Sequence, residues 1–97
     1  LANAMGPGVV SMSFGAPEGS WGSGYDTVFS AAGMSYLAAT GDAGMEVEWP
    51  SVSSNVLAVG GTSLTYSGTG NRSEIAWSQT GGGITRPGRQ SAALAGE

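Results

Sequence analysis

The sequence predicts an α/β fold: a parallel sheet with a helical crossover, followed by a β-hairpin near the C-terminus. Three observations carry this expectation. Apolar runs of strand length recur as VVSMSF, MSYLAAT and VLAVGG. A short helical pattern lies between the first two, and the order strand, helix, strand favours a parallel sheet with crossover packing. Further on, TSLTY and SEIAW flank SGTGNR, a Gly/Asn turn sequence between Thr-rich and aromatic runs, which reads as a hairpin.

In chain order, VVSMSF (residues 9–14) is a continuous run of apolar and small residues, the pattern of a strand buried on both faces. GAPEGSWGSG interrupts regular structure with Gly, Pro and Ser. YDTVFSAAG is the helical candidate, with Val28, Phe29 and Ala32 on one face and Gly33 as its stop. MSYLAAT (34–40) is the second buried strand and VLAVGG (56–61) the third, with GDAGMEVEWPSVSSN a loop between them. Beyond TGGGITRPGRQ no period survives, so residues 86–97 are expected to form an irregular tail. The chain opens at LANAMGPGVV without an initiator Met, which reads as the cut edge of a longer protein.

Composition narrows the function. Charged residues make up 10% of the 97 residues, against about a quarter in an average soluble protein. Arg72, Arg86 and Arg89 are the only cations, and the net charge is −4, which argues against nucleic acid as a partner. With neither Cys nor His, zinc sites of the usual kind are excluded. No run approaches the roughly 18 apolar residues of a membrane-spanning helix, so no membrane partner is expected. Protonating every carboxylate would leave few positive side chains to repel one another, which suits a protein working in acid.

Glycine-rich loops raise a nucleotide reading, and it fails. GPGVVS has Ser11 where a dinucleotide fingerprint needs its third glycine, and it precedes a strand instead of following one. Without Lys no phosphate-binding G-x-x-x-x-G-K-[ST] loop is possible.

Open parallel sheets place their sites beyond the carboxyl ends of strands. Ser13-Phe14-Gly15 ends the first strand, and Thr40-Gly41-Asp42 ends the second. Small residues there let a ligand backbone approach and pair with the strand edge. An Asp among glycines is also most often a turn residue, and Phe14 serves equally as core or as cleft wall. Glu46 and Glu48, alternating with Val47 and Trp49, read as a solvated loop face. Trp21, Trp49 and Trp77 read as packing residues. Asn71-Arg72-Ser73 matches a glycosylation sequon, a weak signal with meaning only in a eukaryotic secreted protein.

Taken together, VVSMSFG, YDTVFSAAGMSYLAATGDAG, WPSVSSNVLAVGGTSL and SEIAWSQTGGGI resemble consecutive blocks of the sedolisin family, the serine-carboxyl peptidases, acid-active relatives of the subtilisins. The resemblance runs over residues 9–85, so 1–85 is expected to be the central part of a peptidase catalytic domain with a fragment of a subtilisin-like parallel sheet. It implies that Asp42, in Gly-Asp-x-Gly, lines the oxyanion hole in place of the subtilisins' asparagine. A carboxylate cannot donate a hydrogen bond, so in that role Asp42 must be protonated during turnover. Ser13, Phe14 and Gly15 would pair with the substrate backbone, and Ala39, Thr40 and Gly41 would wall the pocket for the residue before the scissile bond.

The resemblance further implies that the nucleophile, in a Ser-Gly-Thr-Ser motif, and the catalytic Glu and Asp lie outside this segment, as does a bound calcium. No cofactor is expected within it, and Glu74 is assigned to the hairpin. Implied partners are a polypeptide substrate and the remaining parts of the parent domain, in a secreted, extracellular and acidic setting. The segment alone should be inactive. The tail RPGRQSAALAGE departs from the aromatic, Pro- and Gln-containing continuation of the family. The alternative is a non-catalytic binding or structural module on a degenerate peptidase scaffold.

Overall fold

The computed structural model describes residues 1–19, 21–84 and 93–95. Its centre is a four-stranded sheet in the order β1 (Gly8–Met12), β3 (Met34–Ala39), β5 (Leu57–Gly60) and β8 (Ala93–Ala95). All the pairs in it are parallel, with Ser11, Leu37 and Leu57 in one register row. The three apolar runs thus form the strands expected of them. The helical crossover is reduced to one turn, α1 (Gly22–Tyr25), and a 3₁₀ turn over Asp26–Phe29. That corrects the expected helix from Tyr25 to Gly33 in position and length. A glycine at either side of Ser23 gives a poor helix, and the chain turns at Ala32-Gly33 before β3, with Gly33 at φ 75° and Met34 N donating to Ala31 O at 3.2 Å.

Alternation along the strands sorts side chains onto two faces. Met12, Tyr36, Ala38 and Ala58 are buried on one of them. Phe29 and Val56 pack into the same core, with Val10 and Trp49 against it. Trp49 gathers Trp21, Phe29 and Tyr25 at centroid distances of 5.4, 5.5 and 6.3 Å, and its indole N–H donates to Asp26 Oδ1 at 3.0 Å. Each such ring pair is worth about 0.5–1.5 kcal/mol beyond area burial. Trp49 is a packing residue, as expected of it.

On the opposite face stand Val9, Ser11, Leu37, Ala39, Leu57 and Val59. Val9 is 70% exposed and Leu57 43%. The strand expected to be buried on both faces is therefore covered on one only, and within it Met12 alone is buried. Burial on both faces requires a second layer, and no described element supplies one.

Three strands escaped the sequence reading. β2 (Ala16–Pro17) pairs antiparallel with β4 (Glu48–Trp49), inside stretches read as irregular. Two-residue strands carry no periodicity to detect. The tail, expected to be irregular, contributes β8 at Ala93–Ala95, which pairs with Ala58, Val59 and Gly60. The open edge of β5 offers backbone groups that such a segment satisfies. The rest of the tail lies outside the described residues. Among the described residues no helix is long and apolar enough to cross a membrane.

The hairpin is present as β6 (Thr62–Thr65) and β7 (Ser73–Ala76), with Leu64 opposite Glu74. Glu74 serves it structurally. Its carboxylate accepts from Thr62 Oγ1 at 2.6 Å and from Arg72 Nη2 at 2.9 Å. The Thr62 hydroxyl does most to hold this carboxyl below the usual glutamate range, a slight loss of solvation opposes it, and Arg72 adds to the lowering. A depressed carboxyl pKa adds stability above the unfolded value, and that stability is lost as pH falls through the folded one. The Thr62–Glu74 bond should accordingly hold near neutrality and let go only below the ordinary glutamate range. Following the Glu74 side-chain carbon by NMR against pH checks this, and an unshifted titration contradicts it.

Candidate active site

The carboxyl ends of β1 and β3 open side by side, and the chain beyond each begins a cleft. One cavity of about 380 Å³ is lined by Ser13, Phe14, Gly15, Ala39, Gly41, Asp42, Ala43 and Glu48. Sequence reasoning selected all of the first six. Thr40, the remaining candidate, is 5% exposed and lines a neighbouring cavity of about 340 Å³ with Asp42, Trp77 and Thr80. Ser13, Ala39, Gly41 and Asp42 line both cavities.

Phe14, for which core and cleft wall stood equal, is 63% exposed and forms a wall. Asp42 is exposed at the mouth. Gly41 holds φ at 92°, a conformation that side chains disfavour, and so turns the chain sharply enough to bring Asp42 out of the sheet.

The residue the sequence reading missed is Glu48. It does not stand on a solvated face. A Cβ built on Gly15 would lie 2.6 Å from Glu48 Oε2, and one on Gly41 would lie 2.8–2.9 Å from its carboxyl atoms. The two glycines that end the strands therefore make room for this half-buried carboxylate between them. Its position comes from β4: Glu48 pairs with Pro17, Glu18 N donates to Val47 O at 3.3 Å, and Ser51 Oγ closes onto Glu48 O at 2.7 Å. No periodic signal marked it in the sequence, since β4 is two residues long. Glu46, by contrast, is exposed as read.

Chemically, the cleft offers strand edges with small side chains, one apolar wall, and two carboxyl groups of different setting. Asp42 faces solvent at the rim, and Glu48 sits deeper between the strand ends. Among the described residues, no three His, Cys, Asp or Glu stand together in a way that holds a metal ion.

No protein-family model matches the chain. It is similar to kumamolisin of Bacillus sp. (strain MN-32), with 35% identity over 102 residues, covering 82% of this chain and 18% of kumamolisin. The chain thus spans less than a fifth of that relative's length. At this level the similarity supports a relation to the sedolisin peptidases and a peptidase-related segment.

Proposed function

We propose that this chain is the central part of an acid-active serine-carboxyl endopeptidase with a subtilisin-like sheet, secreted into an acidic medium. In this reading it contributes the oxyanion acid and one side of the substrate cleft. The observation that carries it is the cleft itself: Ser13, Phe14, Gly15, Ala39, Gly41 and Asp42 meet at the carboxyl ends of adjacent parallel strands. That is where open α/β sheets bind ligands.

An extended substrate would lie along Ser13-Phe14-Gly15, exchanging main-chain hydrogen bonds as an added strand does. The side chain before the scissile bond would enter between that segment and Ala39-Thr40-Gly41. Asp42, as a neutral acid, would donate its O–H to the oxygen that becomes negative when the carbonyl is attacked. Such a donor acts on charge that exists only in the transition state. The hydroxyl nucleophile and its proton acceptors would come from outside residues 1–97, and the acyl-enzyme formed on that nucleophile would be hydrolysed by water. The remainder of the domain and a polypeptide substrate are then the partners.

Two tests address this reading. The complete coding region should carry a Glu-x-x-x-Asp helix upstream and Ser-Gly-Thr-Ser downstream, and its product should cleave peptides in acid. If both motifs are missing, a non-catalytic scaffold replaces the peptidase. In the active protein, Glu48 at the cleft floor should favour substrates with a basic side chain. Glu48→Gln is expected to raise KM for such peptides about tenfold, the loss of one charge-assisted contact, with neutral peptides little affected. Equal changes for both classes would rule out that contact.

A further inference from the structure

The loop carrying Asp42, residues 41–46, makes one internal backbone hydrogen bond among the described residues, Glu46 N to Gly44 O at 2.6 Å. The bonds that hold it come from one other stretch of chain. Gly44 N donates to Gln79 O at 2.9 Å and Gly81 N to Gly41 O at 2.9 Å, while Gly82 N reaches Gly44 O at 3.1 Å and Glu46 O at 3.2 Å. Beneath the loop, the Thr80 hydroxyl accepts the Gly61 N–H at 2.6 Å and lies 3.4 Å from Thr40 Oγ1. Thr80 thereby joins the ends of β3 and β5 immediately before Gly41. Gly81 is itself buried, and a Cβ there would drive into the Thr40 carbonyl.

We infer that Thr80 and Gly81 are positioning residues for Asp42, and that residues 79–82 form the brace that sets its carboxyl at the cleft mouth. This inference rests on the reading of Asp42 as an oxyanion donor. A loop with glycine on both sides of an exposed acid would otherwise sample many placements, whereas a misplacement of about 1 Å at a reacting centre can cost 10²-fold. The bonds converge on residues 41–46 and on the strand ends below them, as a brace requires. A segment that merely closed the chain would not need to reach both Gly41 and Gly44.

The test uses the full-length protein carrying this segment, with Thr80→Val, Thr80→Ser, Gly81→Ala and Asp42→Ala, and Thr80→Val and Gly81→Ala repeated in the Asp42→Ala background. Thr80→Val keeps the shape and removes the hydroxyl; it should lower kcat about 10-fold or more with KM little changed, and Thr80→Ser should recover most of that loss. Gly81→Ala should lower kcat at least as much, and Thr80→Val carries the test if Gly81→Ala does not fold. With Asp42 already replaced, neither variant should lower kcat much further, because residues acting through one group are not additive. A folded Thr80→Val with unchanged kcat overturns the inference. So does a loss of equal factor in both backgrounds, which is what a general destabilisation would give. If Asp42→Ala alone leaves kcat unchanged, the donor reading fails and the brace falls with it. If Asp42→Ala is impaired but Thr80→Val is not, the brace alone fails.

Discussion

Asp42→Ala in the full-length protein is expected to lower kcat by about 10²–10³, the range for losing one oxyanion-hole donor. KM should change little, because the hydrogen bond is made to charge that is absent from the bound substrate. Asp42→Asn separates this from a loss of structure. The amide keeps a donor of similar size and can never become an anion facing the tetrahedral intermediate. Activity that the parent loses as pH rises should therefore partly persist in Asp42→Asn. The exposure of Asp42 at the cleft rim supports this test, since neither variant creates a cavity or strands a buried partner. If Asp42 were only a turn residue, replacement would alter stability while kcat and its pH profile stayed put in the folded fraction. Steady-state kcat against pH for the three proteins distinguishes the two outcomes, and an unchanged kcat in folded Asp42→Ala would end the oxyanion role.

The second large effect concerns the 97-residue chain by itself. It is expected to self-associate or to lack a cooperative unfolding transition. One face of its sheet leaves Val9, Leu57 and Val59 exposed, and among the described residues β1 is an edge strand of that sheet. An exposed apolar face beside an open edge is a template for pairing with another chain. The hairpin adds exposed Leu64 and Ile75 without packing against the main core. Sedimentation together with differential scanning calorimetry checks the expectation. A monodisperse monomer with a single two-state transition would contradict it, and would mean that the aromatic cluster around Trp49 suffices as a core.

The parallel strands and the hairpin were legible in the sequence because their signals are local. Residues 9–14, 34–40 and 56–61 are apolar runs of strand length, and a Gly/Asn turn between TSLTY and SEIAW permits little besides a hairpin. The strand-end rule then selected Ser13, Phe14, Gly15, Thr40, Gly41 and Asp42 with no knowledge of packing, and all of these except Thr40 share one cleft. The helix was displaced toward the N-terminus because the apolar pattern of residues 25–33 describes a buried face, and Phe29 alone among its three expected members is buried.

What remained undecided depended on residues far apart in the chain. Phe14 is core or wall according to what lies over the end of β1, and residues 9–14 themselves carry no information about that cover. Glu48 reads as solvated until the pairing of β2 with β4 folds it back between Gly15 and Gly41. Each of those strands is two residues long, too short for alternation to show, and the site it builds is held by contacts across some 30 residues of sequence. Thr80 is likewise an ordinary polar residue in SQTGGG until its hydroxyl meets Gly61 N–H and Thr40 Oγ1. Composition and periodicity determined the first three parallel strands of this chain and the strand ends where its chemistry would lie. Only the tertiary structure decided which carboxylate sits between those ends and which segment holds Asp42, because hydrogen bonds and close approaches between distant segments leave no periodic trace in a sequence.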